Sequence, residues 1–202
     1  TKAITTWAEG IKLYQRYGNE YIIRSQWACN HLVWRPAAIE NQDINVSFVG
    51  QHNRARGEIV RKLRALGVNV WVRGWGWPEG RLQGGDMIQA FGRSKINLNF
   101  NTPPNRWTPK LLARLLFKRS MNKIRPNWHL LGNFQSWLNT SIPQIKARPF
   151  EVIGCSAFLI SAFADDVDRY YEDRKEIVYY SNTPDLVEKI RFYLDHPELR
   201  KQ

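Results

Sequence analysis

Lys146, Arg148 and Glu151 bring two fixed cations and a carboxylate into the short stretch Ile145-Lys146-Ala147-Arg148-Pro149-Phe150-Glu151. Pro149 is tolerated in the first turn of a helix, so the spacing starts a helix there and adds its dipole to both cations at one point. That point suits an anion rich in oxygens, such as a phosphate. Glu151 follows about one turn in, where it can accept hydrogen bonds from a sugar diol. A second anion-favouring place is Gly50 in Val49-Gly50-Gln51-His52-Asn53-Arg54-Ala55-Arg56. The glycine permits close backbone approach, and a helix N-terminus follows it. Taken singly, these residues have plain structural uses: Glu151 as a first-turn carboxylate, and Lys146 and Arg148 as solvated surface. His52 reads as a loop residue rather than a base, and Cys155 as a small buried one.

Elements that would position these groups alternate from Ile44 to Leu194. Short β-rich runs cover Ile44 to Val49, Val68 to Arg73, Lys95 to Phe100, Ala157 to Ser161 and Glu176 to Tyr180. Helical patterns separate them, which is the signature of a parallel sheet covered on both faces. Between the first two, Ile59, Leu63 and Leu66 share a helical face and Gly67 stops it. Near the end, Thr183-Pro184-Asp185 supplies a cap and a proline start for an amphipathic helix that His196-Pro197 closes. Ligands of such sheets lie beyond the carboxyl ends of the strands, where strand order reverses. The expected order places strand one between strands two and four. Trp71, Trp75 and Trp77, spaced by Gly74 and Gly76 at the second strand, read as core and rim aromatics, with Trp75 and Trp77 at the tip standing where a nucleobase could alternatively be contacted.

Two segments depart from the alternation. Residues 1–43 carry a helical stretch from Trp7 to Tyr17, a stop at Gly18 and an apolar run at Tyr21 to Ile23, and read as a linker from something preceding. Residues 101–142 interrupt the third and fourth strands with a Trp-, Arg- and Lys-rich insertion, helical from about Pro109. Lys110, Arg114, Lys118 and Arg119, interleaved with leucines, read as a basic amphipathic helix over 109–121. Such a helix can lie on an anionic membrane or pack its leucines on the domain.

The charge of +12 and pI near 10.0 over 202 residues call for anionic partners. No apolar run approaches the ~18 residues of a membrane span. Cys29 and Cys155 lie far apart without metal-ligand spacing, which fits a reducing, cytoplasmic setting with neither a disulfide framework nor a zinc site.

Lys146 to Gly154, written K-A-R-P-F-E-V-I-G and followed by Ala157-Phe158-Leu159-Ile160, resembles the R-x-F-E-x-x-x-x-G segment of the glycosyl transferase group 1, spore-maturation-like enzymes of GT-B fold. The resemblance extends through Glu176-Ile177-Val178-Tyr179-Tyr180, Asp185-Leu186, Lys189 and Pro197-Glu198-Leu199-Arg200. It also takes in Phe48-Val49-Gly50 and Ser94 to Asn99, so it covers about 44–100 and 143–202. It implies a Rossmann-like doubly wound α/β domain, the C-terminal, donor-binding half of a GT-B fold, at 44–202. Residues 1–43 would then cross from an N-terminal acceptor domain missing from the chain. By position, Gly50, Lys146 and Arg148 would hold the diphosphate of a nucleotide sugar and Glu151 its ribose. The family generally needs no metal or cofactor, since basic side chains and helix ends neutralise the departing diphosphate. Many retaining relatives carry a further glutamate where this chain has Pro143, so the stereochemistry stays open.

The reading is a glycosyltransferase that moves a sugar from a nucleotide diphosphate sugar to an unidentified acceptor, a saccharide or a lipid-linked one. It would be cytoplasmic, with peripheral membrane contact through 109–121. The competing reading is a non-enzymatic nucleic-acid-binding or membrane-docking module that uses the basic, Trp-rich surface. Against nucleic acid, no recognised RNA or DNA motif occurs and the basic residues are dispersed among helices.

Overall fold

The computed structural model describes residues 3–5, 8–16, 18–101, 109–120, 123–126, 128, 130–139, 145–164 and 166–201. They divide into two compact units, residues 1–101 with 145–202, and residues 102–144.

The first unit opens with β1 (Ala3–Thr5), α1 (Ala8–Arg16) and β2 (Ile22–Arg24), the two strands pairing in parallel. Gly18, at φ +75°, lets the chain leave α1. The main sheet follows, from β3 (Ile44–Val49), β4 (Trp71–Arg73), β5 (Ser94–Asn99), β8 (Leu159–Ala162) and β9 (Val178–Tyr180), every pairing parallel. Its helices are α2 (Arg54–Ala65), α3 (Gly84–Arg93), α6 (Ala147–Gly154) and α7 (Thr183–Asp195).

Side-chain alternation divides the core between the faces. Val46 and Phe48 of β3 bury with Val60 and Leu63 of α2 and with Leu186 and Ile190 of α7. Val49 and Leu159 turn the other way, against Phe91 of α3 and Val152 of α6. Each fully buried aliphatic chain, such as Leu63 or Ile190, contributes about 1.5–3 kcal/mol. The second face also carries polar pairs between strands: Ser47 donates to Asn97 at 3.0 Å and Asn99 to Ser161 at 2.8 Å. Satisfied in this way, buried polar groups cost little and pin the register.

The strand order is β4-β3-β5-β8-β9, which corrects the expected arrangement. Strand one, β3, lies between strands two and three, not two and four. The chain leaves β3 by α2 to one side, then returns through α3 to the other, so the order reverses between β3 and β5.

Three local readings are also corrected. Leu66 is half exposed at the C-cap of α2, and Val60 takes the buried place. Asn182, not Thr183, caps α7, accepting from the Asp185 N–H at 3.0 Å, with Pro184 inside the first turn. In the second unit α4 (Pro109–Leu116) ends before the expected basic helix does. Residues Phe117–Ser120 form β6 and pair antiparallel with β7 (Lys123–Pro126), ahead of α5 (Leu130–Asn139). Lys118 and Arg119 therefore lie on a strand.

Candidate functional site

The segment after β3 is shaped by glycine contacts. The Gly50 N–H donates to the Arg73 carbonyl at 2.9 Å, and its own carbonyl accepts from the Trp77 indole at 2.9 Å. A Cβ on Gly74, which sits at φ +141°, would stand 2.1 Å from the Gly50 oxygen, so this glycine is required by the close approach of the two backbones. At Gly50 itself a Cβ would meet the Phe48 ring at 2.8 Å. The local reason for Gly50 is thus packing, and its amide is spent on the β4 edge.

Trp77 is a core residue, buried, with the His52 ring packed edge-on at 4.6 Å. It is not presented to a ligand in this arrangement. Trp75 is 66% exposed, with Arg81 over its ring at 6.0 Å.

Asn53 caps α2 by accepting from the Arg56 N–H at 2.9 Å, which sets Arg56 in the first turn. The Arg56 guanidinium donates to the Gln51 carbonyl at 2.7 Å and the Phe100 carbonyl at 3.2 Å, bridging the segments that leave β3 and β5. That is the reversal point of the sheet. Its Nε is buried with no hydrogen-bond partner among the described residues, and its ring-facing side lies 5.5 Å from the Phe48 centroid. Burial, then repulsion from Arg148, lowers its pKa below the usual arginine value.

Lys146 is the N-cap of α6, and Arg148 stands one residue inside it. Desolvation first, and then the charge of Arg56, holds the Lys146 ammonium below the usual lysine range. Arg148 lies over the Phe91 ring at 5.4 Å, touches the Met87 sulfur at 2.8 Å, and pairs with Glu151 at 2.7 Å. Desolvation lowers its pKa and Glu151 partly restores it. Both Lys146 and Arg148 thus lie within electrostatic reach of Arg56, which is itself tied to the segment that follows Gly50. Arg148 and Glu151 occupy one face of α6.

Arg56 is the residue that sequence reasoning passed over. A signal was present, since it lies in the first turn after the Gly50 segment, but the neighbouring Arg54 offers the same charge and the sequence does not separate them. Among the described residues no group of three or more His, Cys, Asp and Glu could hold a metal ion. The arrangement can bind an oxygen-rich anion through three cations and a diol through Glu151.

Residues 121–202 match the model of a family described as glycosyl transferase-like. Sucrose-phosphate synthase from Thermosynechococcus elongatus superposes with a TM-score of 0.62 at 8% identity, over 98% of this chain and 50% of that one. The chain has the fold of a GT-B glycosyltransferase domain. No curated protein sequence matches it. The chain spans about half the length of the synthase. The glycosyltransferase-like match includes Lys146, Arg148 and Glu151 but not Gly50 or Arg56, which lie in the part related by fold. No described helix of the GT-B domain is long and apolar enough to cross a membrane.

Proposed function

We propose that the chain is the donor-binding half of a glycosyltransferase that takes its sugar from a nucleotide diphosphate sugar. The observation that carries this reading is a gathering of cations, Lys146 and Arg148 at the start of α6 and Arg56 at the reversal point with its Nε buried and unbonded, of which only Arg148 pairs with a carboxylate among the described residues. A protein that gathers like charges where burial partly desolvates them loses stability by it, and a bound dianion restores the balance. A diphosphate meets that need, and its charge grows as the glycosyl bond breaks, so the cations favour departure of the leaving group more than binding of the intact donor. Glu151, one turn along α6, takes the ribose hydroxyls, and Trp75 offers an exposed face to the base. Gly50 serves the site through its backbone, which Gly74 allows the end of β4 to approach closely.

The acceptor, a saccharide or a lipid-linked molecule, is bound by a further domain, and the setting is cytoplasmic with peripheral membrane contact. Residues 1–202 alone then bind donor nucleotide without efficient transfer, because GT-B chemistry occurs in a cleft between two domains. Titration calorimetry with uridine, guanosine and adenosine diphosphates and their sugar conjugates tests the reading. Binding of at least one diphosphate supports it. No binding of any, together with salt-dependent binding of single-stranded oligonucleotides, would replace it with a nucleic-acid module.

A further inference from the structure

Residues 102–144 hold seven Lys and Arg residues and no Asp or Glu, against a net +12 for the whole chain. The same unit leaves large apolar side chains in solvent. Leu131 and Trp128 are 87% and 85% exposed, and Leu112, Leu116, Phe117 and Leu130 are exposed as well. Single exposed apolar residues are ordinary, but this many in one small unit mark an interaction surface. Across the β6–β7 hairpin the register sets Lys118 directly opposite Arg125.

We propose that this unit docks on an anionic lipid bilayer, with leucine and tryptophan side chains entering the interface and the basic residues meeting lipid phosphates. The combination selects the partner. A second copy of the chain brings the same excess of positive charge and is repelled. A protein partner is disfavoured because charged residues are depleted from the cores of protein interfaces. Nucleic acid would use the cations and the aromatic rings, but it has no use for four exposed leucines, whereas a bilayer takes both. The proposal does not depend on the donor site. It gives the acceptor a location, since a transferase held at a bilayer is placed to meet a lipid-linked acceptor.

Co-sedimentation of the full 202-residue chain with vesicles tests it, using phosphatidylcholine alone and phosphatidylcholine with about one third phosphatidylglycerol. Binding to the anionic vesicles should be at least about tenfold tighter and should weaken as salt rises. Leu131→Ser and Trp128→Ser, both exposed and so compatible with folding, should each weaken it by about tenfold. The double variant Lys118→Glu, Arg125→Glu should abolish the preference for anionic vesicles. Circular dichroism and diphosphate titration of the same variants separate this result from misfolding and from failure of the donor reading. Equal binding to both vesicles, no binding to either, or variants that bind like the parent would overturn the proposal. An oligonucleotide that displaces the vesicles, with affinity unchanged by Leu131→Ser, would assign the surface to nucleic acid.

Discussion

Arg148 and Glu151 form an ion pair one turn apart on α6, Nη1 to carboxylate oxygen at 2.7 Å, so each holds the group that the other would offer to a ligand. The pair keeps both side chains on the α3 side, where Phe91 and Met87 pack against the guanidinium. On the proposed function, a donor would therefore share an existing charge pair, not meet two free groups.

The first prediction concerns this pair. Arg148→Ala should weaken nucleoside diphosphate binding by about 1.5–3 kcal/mol, the value of a charge-assisted hydrogen bond, and nucleoside binding far less. Glu151→Ala should weaken both, because both ligands carry the ribose. Calorimetry on the two variants with both ligands checks it. Equal losses for Arg148→Ala with nucleoside and diphosphate would remove its assigned role.

The second concerns Arg56. Its guanidinium ties Gln51 to Phe100, so Arg56→Gln should lower stability by about 1–3 kcal/mol through the two carbonyls left without their donor. It should also reduce diphosphate affinity by about 1.5–3 kcal/mol while sparing nucleoside affinity. Urea unfolding and calorimetry separate the two losses. A stability loss with unchanged diphosphate affinity would make Arg56 a structural brace only.

The sheet was legible because hydrophobic runs of strand length alternate with helical periodicity, and β3 spans the residues that its apolar run marks. Strand order was not. It depends on the side to which α3 returns, and neither periodicity nor capping residues encode that. The basic helix read over 109–121 stops at Leu116 because Phe117–Ser120 finds a partner in Lys123–Pro126, and long-range pairing overrides a leucine–basic repeat that continues in the sequence. At the site, the cluster on α6 was legible from charge spacing around Pro149. The setting of Gly50 was less so, because the close backbone contact there is made possible by Gly74, distant in the sequence and opposite it in space.

The third prediction tests that contact. Gly74→Ala places a methyl group 2.1 Å from the Gly50 oxygen at φ +141°, and should cost about 2–4 kcal/mol. Gly67→Ala meets open space at φ +82° and should cost only the left-handed penalty of about 1–2 kcal/mol. Urea midpoints of the two variants should fall in that order, and the reverse order would contradict the close approach.

The fourth prediction is a pH dependence centred on Lys146, whose ammonium is held below its usual 10.5 by desolvation and then by Arg56. A lowered pKa in the folded state means that the unfolded chain binds more protons between the folded and unfolded values. Stability contributed through this group therefore rises with pH across that window, and the charge works against the fold below it. A bound diphosphate needs the charged form, so affinity behaves in the opposite way: full below the folded pKa and falling as pH rises through it, earlier than for an ordinary lysine near 10.4. Lys146→Arg should keep the affinity flat over the same range, because its guanidinium stays protonated. Lys146→Met should be weak throughout. Diphosphate titrations from neutrality to about pH 10 on the three proteins read this directly. A parallel decline in the parent and Lys146→Arg would assign the pH dependence to another group and leave Lys146 outside the phosphate site.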